Sequence, residues 1–290
     1  MDQRIIDLYD SFTHGGISRR EFLDRATGLV GSAAAAAALL PLLQNDYAKA
    51  ETVPADDPRL VSETASFDSP QGKISGYLVR PKEKGKRPAV LVIHENRGMN
   101  PHIKDVARRL ALEGYLAFAV DLLSPLGGTP DDEEKGRELY TKINRVDPTA
   151  NVAAVAFLKK HAESTGKVGA VGFCAGGEMV NQLAAASPEV DAIVAYYGRA
   201  TPTDKVPDIK APLLEHYAEN DQGVNSTMPA FKEALEKNNK KFTMHTYPGT
   251  QHAFNNDTGG PRYNKEQAEI AWGRTIAFFK ENLGAPPKAT

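Results

Sequence analysis

The stretch Lys167-Val-Gly-Ala-Val-Gly-Phe-Cys-Ala-Gly-Gly-Glu-Met-Val-Asn-Gln-Leu-Ala-Ala-Ala186 changes character at its centre. An apolar run with β-branched members comes first and a run of helix formers comes last, which predicts a strand followed by a helix. The only cysteine, Cys174, lies at the junction between Gly172 and Gly176. Small neighbours permit a sharp turn that exposes a side chain, and the start of a helix favours a thiolate. The pattern predicts a nucleophile; a buried, inert cysteine in a closely packed turn is the alternative.

The composition is that of a globular protein. The chain has 290 residues, of which 41% are hydrophobic and 25% charged, enough for one large α/β domain or two small ones. The formal net charge of −2 gives no basic excess, so we expect no nucleic-acid partner. A single cysteine excludes intrachain disulfides.

The N-terminal part differs from the rest. Arg19-Arg20 is followed by a Phe-Leu pair, by an uncharged alanine-rich and leucine-rich run over 26–43, and by Ala48-Lys49-Ala50. This order resembles a twin-arginine export signal, which implies the twin-arginine export machinery as a partner and a periplasmic or exported protein. A retained N-terminal helix on a cytoplasmic protein and a membrane anchor are the alternatives. The predicted boundaries are a signal over 1–50, a linker over 51–60 and one domain over 61–290.

Beyond the linker, strand patterns alternate with helix patterns. Continuous apolar runs such as 89–93 are typical of strands buried on both faces, and the first two strands flank a turn at 69–72. The pattern therefore predicts a doubly wound, mostly parallel α/β sheet with an antiparallel N-terminal hairpin at its edge. The predicted strands are 61–67, 74–79, 89–93, 115–120, 168–173, 192–197, 212–217 and 242–247, and the predicted helices are 103–111, 133–143, 150–161, 178–186, 228–238 and 265–283.

Three side chains follow strand ends in the order that nucleophilic catalysis in such a sheet requires. Cys174 comes first, Asp221 follows a strand, and His252 precedes the last helix. Because sites form at the carboxyl ends of parallel strands, we expect them to meet at one rim. A turn or capping role is the alternative for Asp221, and Glu219 and Asp257 compete as the acid.

Over about 61–283 the chain resembles the dienelactone hydrolase family of the α/β-hydrolase fold. The likeness lies in the Gly-x-Cys-x-Gly-Gly elbow, in His94-Glu95-Asn96-Arg97-Gly98 after a strand, in the Tyr-Tyr-Gly of 196–198 and in the histidine loop of 248–254. The resemblance implies that Cys174 attacks a lactone or ester carbonyl, that His252 moves the proton and that Asp221 orients His252. It further implies that Glu95 holds or receives the thiol proton, and that the backbone N–H groups of Ala175 and Asn96 form the oxyanion hole.

The chain departs from this family at the substrate carboxylate. Two arginines hold that carboxylate in the family, and Asn256 occupies the place of one, whereas Gly136 or Arg137 matches the other. We therefore expect neutral esters or lactones to be cleaved at least as well as acids. His94 and His102 flank the predicted rim as further candidate contacts. The candidate substrate-binding residues are Arg97, Arg137, Tyr197, Arg199 and Asn256.

The sequence thus predicts a cysteine-dependent lactone or ester hydrolase with no metal and no cofactor, because Cys174 has no second thiol or ligand cluster beside it. Carboxylesterase, thioesterase and acyl-transfer reactions on the same residues are alternatives. A non-catalytic binding protein is a further one, although such a protein has no use for an exposed reactive thiol. The sequence leaves open the acyl group, the oligomeric state and cleavage of the signal.

Overall fold

The computed structural model describes residues 1–13, 15–46 and 52–290. Within these residues eight strands form a single sheet in the order β1-β2-β4-β3-β5-β6-β7-β8. β1 pairs antiparallel with β2 and β2 with β4, whereas all later pairs are parallel. The predicted mostly parallel α/β sheet with an antiparallel N-terminal hairpin is confirmed. The strands are β1 Leu60–Ser69, β2 Gly72–Pro81, β3 Arg87–Ile93, β4 Leu116–Asp121, β5 Ser164–Phe173, β6 Ala192–Tyr196, β7 Leu213–Asn220 and β8 Phe242–Gln251.

Helices cover both faces of this sheet. Successive residues of β3 contribute to different apolar clusters: Leu91 and Ile93 to one, Val90 and Val92 to the other. This burial on both sides explains the continuous apolar run in the sequence. After the three N-terminal helices, the chain forms α4 Pro101–Leu112, α5 Glu133–Tyr140, α6 Thr149–Lys160, α7 Ala175–Ala186, α8 Gln222–Asn225, α9 Met228–Lys237 and α10 Lys265–Leu283.

The first three helices, α1 Gln3–Thr13, α2 Arg19–Val30 and α3 Ala33–Leu43, form a separate packing unit, here called the N-terminal helical unit. Ser18 and Glu21 cap the start of α2 reciprocally, and Gly31 ends it with a φ of 83°. The uncharged run of the sequence is therefore broken into two helices bent by 113°. The buried apolar residues of this unit are Ile5, Tyr9, Phe12, Phe22, Ala26, Ala36, Leu40 and Leu43.

The helical unit bears on the membrane alternative. Among the described residues no single helix combines the length and hydropathy of a membrane span, whereas the bent pair α2 and α3 meets those criteria only when its two helices are taken together. The residues 48–51, at which the sequence predicts the end of a signal, lie outside the described residues.

Candidate active site

Cys174 occupies a strained turn between β5 and α7. Its φ of 55° and ψ of −115° are rare for a residue with a side chain. Its N–H donates to the carbonyl oxygen of Tyr196 at 3.0 Å, which ties the turn to β6. A Cβ atom on Gly172 would collide with the carbonyl oxygen of Gly176, and one on Gly176 with that of Ile93. The glycines on both sides of Cys174 are thus required by close backbone approach.

His252 and Asp221 meet because β7 and β8 run in parallel. Asn220 pairs with Gln251 at the ends of these strands, so the next residues, Asp221 and His252, lie side by side. Nδ1 of His252 lies 2.6 Å from Oδ2 of Asp221, and both side chains are buried. Oδ1 of Asp221 also accepts from the N–H of Val224 and caps α8. With Nδ1 donating to the carboxylate, Nε2 is the ring nitrogen suited to proton exchange.

The charge state of His252 follows from its neighbours. Burial by itself lowers the pKa of the imidazole, but the negative charges of Asp221, Asp10 and Cys174 outweigh burial and raise that pKa well above its ordinary value. The imidazolium form is therefore favoured in this site.

Glu95 is held at the end of β3 by an amide. Nδ2 of Asn256 donates to Oε2 of Glu95 at 3.0 Å. Oδ1 of Asn256 accepts from both the N–H and the hydroxyl of Thr258, at 3.0 and 2.6 Å, which fixes the orientation of the amide. Within the described residues, Oε1 of Glu95 and the hydroxyl of Tyr197 are buried without a hydrogen-bond partner. These two buried polar atoms are therefore candidates for a hydrogen bond to a bound substrate.

A cleft of about 540 Å³ opens onto Cys174 and His252. Its wall includes Asn96 and Ala175, the two residues expected to form the oxyanion hole, together with Tyr197. Ala175 is the first residue of α7, where a backbone N–H has no acceptor within the helix. Basic side chains of this cleft are Arg137, Arg145 and Arg199, and its acidic side chain is Glu178.

A second cavity of about 810 Å³ lies on the other side of His252, between α1 and the turn after β7. Arg199, Val224 and His252 line both cavities, so the two spaces flank the same imidazole. The second cavity is rich in carboxylates, namely Asp7, Asp10, Glu219 and Asp221. The rim around His252 therefore has a basic side and an acidic side.

Several candidates lie elsewhere than the sequence suggested. Arg97 is buried, with Nε 3.4 Å from the carboxylate of Glu133, and does not line either cavity. Asn256 is also absent from the cleft wall, and its amide donates a hydrogen bond to Glu95 instead. Gly136 packs against the backbone of Arg97, so Arg137 is the residue of that pair that faces the cleft.

The suggestion that His94 and His102 contact substrate is wrong. Nδ1 of His94 donates to the carbonyl oxygen of Glu95 at 2.6 Å, Nε2 accepts from the N–H of Leu122, and the ring is fully buried. His102 is also fully buried, and Nδ1 lies 2.9 Å from Oδ1 of Asp257. Both imidazoles thus hold the ends of strands and loops together. The same contact removes Asp257 as a rival to Asp221.

Sequence reasoning missed three groups at the site. Tyr140 and Arg145 line the cleft but lie in or after a polar helix, with no motif to single them out. Asp10 lies in the segment that resembles an export signal, and no motif marks it as part of a site. A carboxylate oxygen of Asp10, one of Asp221 and a ring nitrogen of His252 all lie within 4.8 Å of one another.

Comparison with known proteins gives matches over both parts of the chain. A model described as "Dienelactone hydrolase family" matches residues 74–283, and one described as "YqhI-like" matches residues 1–31. A "Putative carboxymethylenebutenolidase" of Methylorubrum extorquens is 34% identical over 246 residues, which are 79% of this chain and 84% of the relative. The "Putative hydrolase fragment YghX" of Escherichia coli is 52% identical over 117 residues, which are 39% of this chain and 97% of that protein.

A solved structure agrees with these matches. The crystal structure of a "Putative Dienelactone Hydrolase" from Klebsiella pneumoniae has a TM-score of 0.68 and 29% identity, and the alignment covers 77% of this chain and 99% of that one. The strand order and the strained turn between β5 and α7 agree with an α/β-hydrolase-like fold. Because the family model spans most of the sheet domain, the chain belongs to the dienelactone hydrolase family.

Proposed function

We propose that this hydrolase cleaves a lactone or a carboxylic ester through a thioester formed on Cys174. The observation that carries the proposal is the 2.6 Å contact between Nδ1 of His252 and Oδ2 of Asp221 at a rim that also holds a cysteine in a strained elbow. A thiol, an imidazole and a buried carboxylate in this arrangement are the elements of nucleophilic catalysis.

In the proposed reaction Cys174 reacts as the thiolate, with its proton on Nε2 of His252, and Sγ attacks the carbonyl carbon. The carbonyl π electrons move to oxygen, where the N–H groups of Ala175 and Asn96 stabilise the charge. When the carbonyl re-forms, the C–O bond breaks and the leaving alkoxide takes the proton from His252. A water molecule, deprotonated by His252, then hydrolyses the thioester and releases the acid.

Glu95 and Tyr197 act on the resting thiol and on the substrate in this proposal. Burial, followed by the charges of Glu95 and Cys174, raises the pKa of the Tyr197 hydroxyl well above its ordinary value, so the hydroxyl stays a donor. A donor in the cleft wall suits a substrate oxygen. Glu95, fixed by Asn256, is suited to hold the thiol proton whenever Cys174 is not ionised.

The basic side of the cleft bears on the choice of substrate. Nη2 of Arg137 lies 2.9 Å from Oε2 of Glu134, whereas Arg145 and Arg199 form no ion pair within the described residues. An acyl group with a carboxylate is therefore a candidate despite Asn256, and a neutral acyl group remains the expectation from the sequence. Carboxylesterase, thioesterase and acyl-transfer activities use the same three residues.

The test is a hydrolysis panel with the wild type and Cys174→Ala. The panel contains a carboxylated lactone, its uncharged analogue, a p-nitrophenyl ester and a thioester, each with and without an acceptor alcohol. We expect Cys174→Ala to lower kcat/KM by at least about a thousandfold on every substrate that the wild type cleaves, because no other group supplies the nucleophile. Mass spectrometry of quenched wild type should show the acyl group on Cys174, and iodoacetamide should inactivate it.

Cys174→Ser serves as the near-isosteric control and should retain little activity, since a hydroxyl is a much weaker nucleophile in a site tuned for a thiolate. An unchanged melting temperature for Cys174→Ala establishes that the fold is intact. Turnover by the alanine variant at more than a few per cent of wild type, on every substrate, rules out Cys174 as the nucleophile.

We further propose that Arg19 and Arg20 direct export of the protein through the twin-arginine machinery. Both side chains are exposed, which a receptor for the pair requires. Replacing both with lysine should retain the protein in the cytoplasm, as measured by cell fractionation, while a single change at the exposed Arg25 should not. N-terminal sequencing of the exported form should begin near residue 51. Equal export of the double variant contradicts this proposal.

A further inference from the structure

The N-terminal helical unit docks on the rim that carries the catalytic residues. Nδ2 of Asn96 donates to the carbonyl oxygen of Thr13 at the end of α1, at 2.8 Å, and the side chains of Gln3 and Gln251 are hydrogen-bonded at 2.6 Å. Gln251 directly precedes His252. The last residue of α1 thus holds the side chain of an oxyanion-hole candidate, while its first residue holds the neighbour of the catalytic histidine.

Cations of the sheet domain lie on aromatic rings of α1. The guanidinium carbon of Arg137 is 4.9 Å from the ring centroid of Phe12, and that of Arg262 is 5.3 Å from the ring of Tyr9. Such contacts between a cation and the face of a ring help to hold a docked helix in place. Between these anchors, α1 lines the cavity that flanks His252.

Asp10 is the residue of α1 that reaches the catalytic pair. Its carboxylate, that of Asp221 and the ring of His252 have ligand atoms within 4.8 Å of one another. Opposite charges at such distances in a partly buried site interact strongly. Asp221 contacts Nδ1 and sets the tautomer, whereas Asp10 approaches the same imidazole from a different element of the fold.

We propose that α1 is part of the active site of the full-length chain and that Asp10 is a positioning residue which holds His252 in its imidazolium form. The inference rests on the proposed roles of Cys174 and His252. It extends them to a part of the chain that the sequence assigns to an export signal.

Asp221 and Cys174 also favour the imidazolium, and each acts on His252 from a different element of the fold. Asp221 contacts it from the turn after β7, Cys174 from the elbow, and the ring of Tyr197 from the turn after β6 at 5.1 Å between centroids. Arg199 lines the same two cavities and opposes the carboxylates. Asp10 thus adds to the negative charges of Asp221 and Cys174 that offset burial of the imidazolium.

The sign of the pH effect follows from this charge. A carboxylate beside the imidazole favours its protonated form, so removing the charge lowers the pKa of His252. Catalysis by a thiolate and imidazolium pair fails at alkaline pH, when the imidazolium loses its proton. The alkaline limb of kcat/KM should therefore move to lower pH by about one unit in Asp10→Asn.

The experiment compares Asp10→Asn with the wild type, Asp10→Glu and Asp24→Asn in the full-length chain. Asp10→Glu keeps the charge and should restore the alkaline limb. Asp24→Asn makes the same change on α2. The Asp24 side chain is exposed and lies 4.0 Å from Arg20, so this variant should leave the alkaline limb of kcat/KM unchanged. Alkylation of Cys174 by iodoacetamide at mildly acidic pH, which needs no substrate, should be at least as fast in Asp10→Asn as in the wild type, because His252 is protonated there in both proteins and the variant has one negative charge fewer near the thiolate.

Asp10→Ala is a second neutral variant, for use if asparagine disturbs α1, since alanine is the best helix former. Limited proteolysis establishes that α1 stays docked in each variant. A docked neutral variant with the wild-type alkaline limb overturns the inference. That outcome leaves the proposed function intact if Cys174→Ala is inactive, whereas an active Cys174→Ala removes the proposed function itself.

Discussion

The sheet domain and the N-terminal helical unit meet at the same active site but are held by different forces. The sheet domain has two large apolar clusters on the two faces of its sheet. The helical unit has a small cluster of its own and touches the rim through a few hydrogen bonds and two cation and ring contacts. Catalytic geometry should therefore be robust in the sheet domain, and docking of α1 should be easier to lose.

The two carboxylates near His252, Asp221 and Asp10, are held in place by these two different regions. Asp221 is fixed by the register of β7 and β8 and by capping of α8, so its position is as stable as the sheet. Asp10 is present only while α1 is docked. Cleavage near residue 51 would remove Asp10 with the rest of the helical unit, and the processed protein should then have the alkaline limb of Asp10→Asn.

The larger expected effect concerns the sheet domain, at Asn256. Asn256→Asp keeps the shape of the side chain but replaces the donor to Glu95 with a carboxylate oxygen. Loss of a hydrogen bond to a charged group costs about 1.5–3 kcal/mol, so kcat/KM should fall about ten- to hundredfold. Steady-state kinetics at neutral pH on the best substrate of the panel measures this change.

Asn239→Asp is the matched control for that variant. Asn239 is exposed in the turn before β8, at the opposite end of the strands from the site, and its positive φ of 51° is tolerated by both residue types. Its kcat/KM should equal that of the wild type. Wild-type activity in Asn256→Asp would mean that the orientation of Glu95 does not matter to catalysis.

The smaller expected effect concerns the helical unit, at Phe12. Phe12→Ala removes the ring beneath Arg137 and a member of the small apolar cluster. We expect kcat/KM near neutral pH to fall only a few-fold, because each cation and ring contact contributes about 0.5–2 kcal/mol. Protease cleavage between residues 1 and 46 should accelerate clearly, while the melting temperature of the sheet domain stays unchanged.

Leu42→Ala is the control on the same unit, since Leu42 is 60% exposed on α3 and should affect neither measurement. If Phe12→Ala lowers the melting temperature of the sheet domain as much as a core substitution would, then the two regions form one cooperative unit and the contrast drawn between them fails.

The local pattern of apolar and polar residues was enough to predict most strands and helices of the sheet domain. The final helix is found at 265–283 as predicted, and β3 and β4 lie within two residues of their predicted limits. These strands could be recognised in the sequence because strands buried on both faces must be apolar throughout. The turn at Cys174 could be recognised because glycine is required at Gly172 and Gly176, where backbones approach closely. Chain order together with strand ends was enough to bring Asp221 and His252 to one rim.

The sequence by itself thus determined the sheet, the elbow at Cys174 and the pairing of Asp221 with His252, because these depend on residue spacing along strands whose register is set by burial. Three contacts were decided only by the tertiary structure. Asn256 donates a hydrogen bond to Glu95, and Arg97 forms an ion pair with Glu133. Packing of α1 places Asp10 beside His252. Each of those contacts joins side chains that are distant in the chain. The physical reason is that a charge acts through space, so its partner is chosen by how separate elements pack and not by any local pattern.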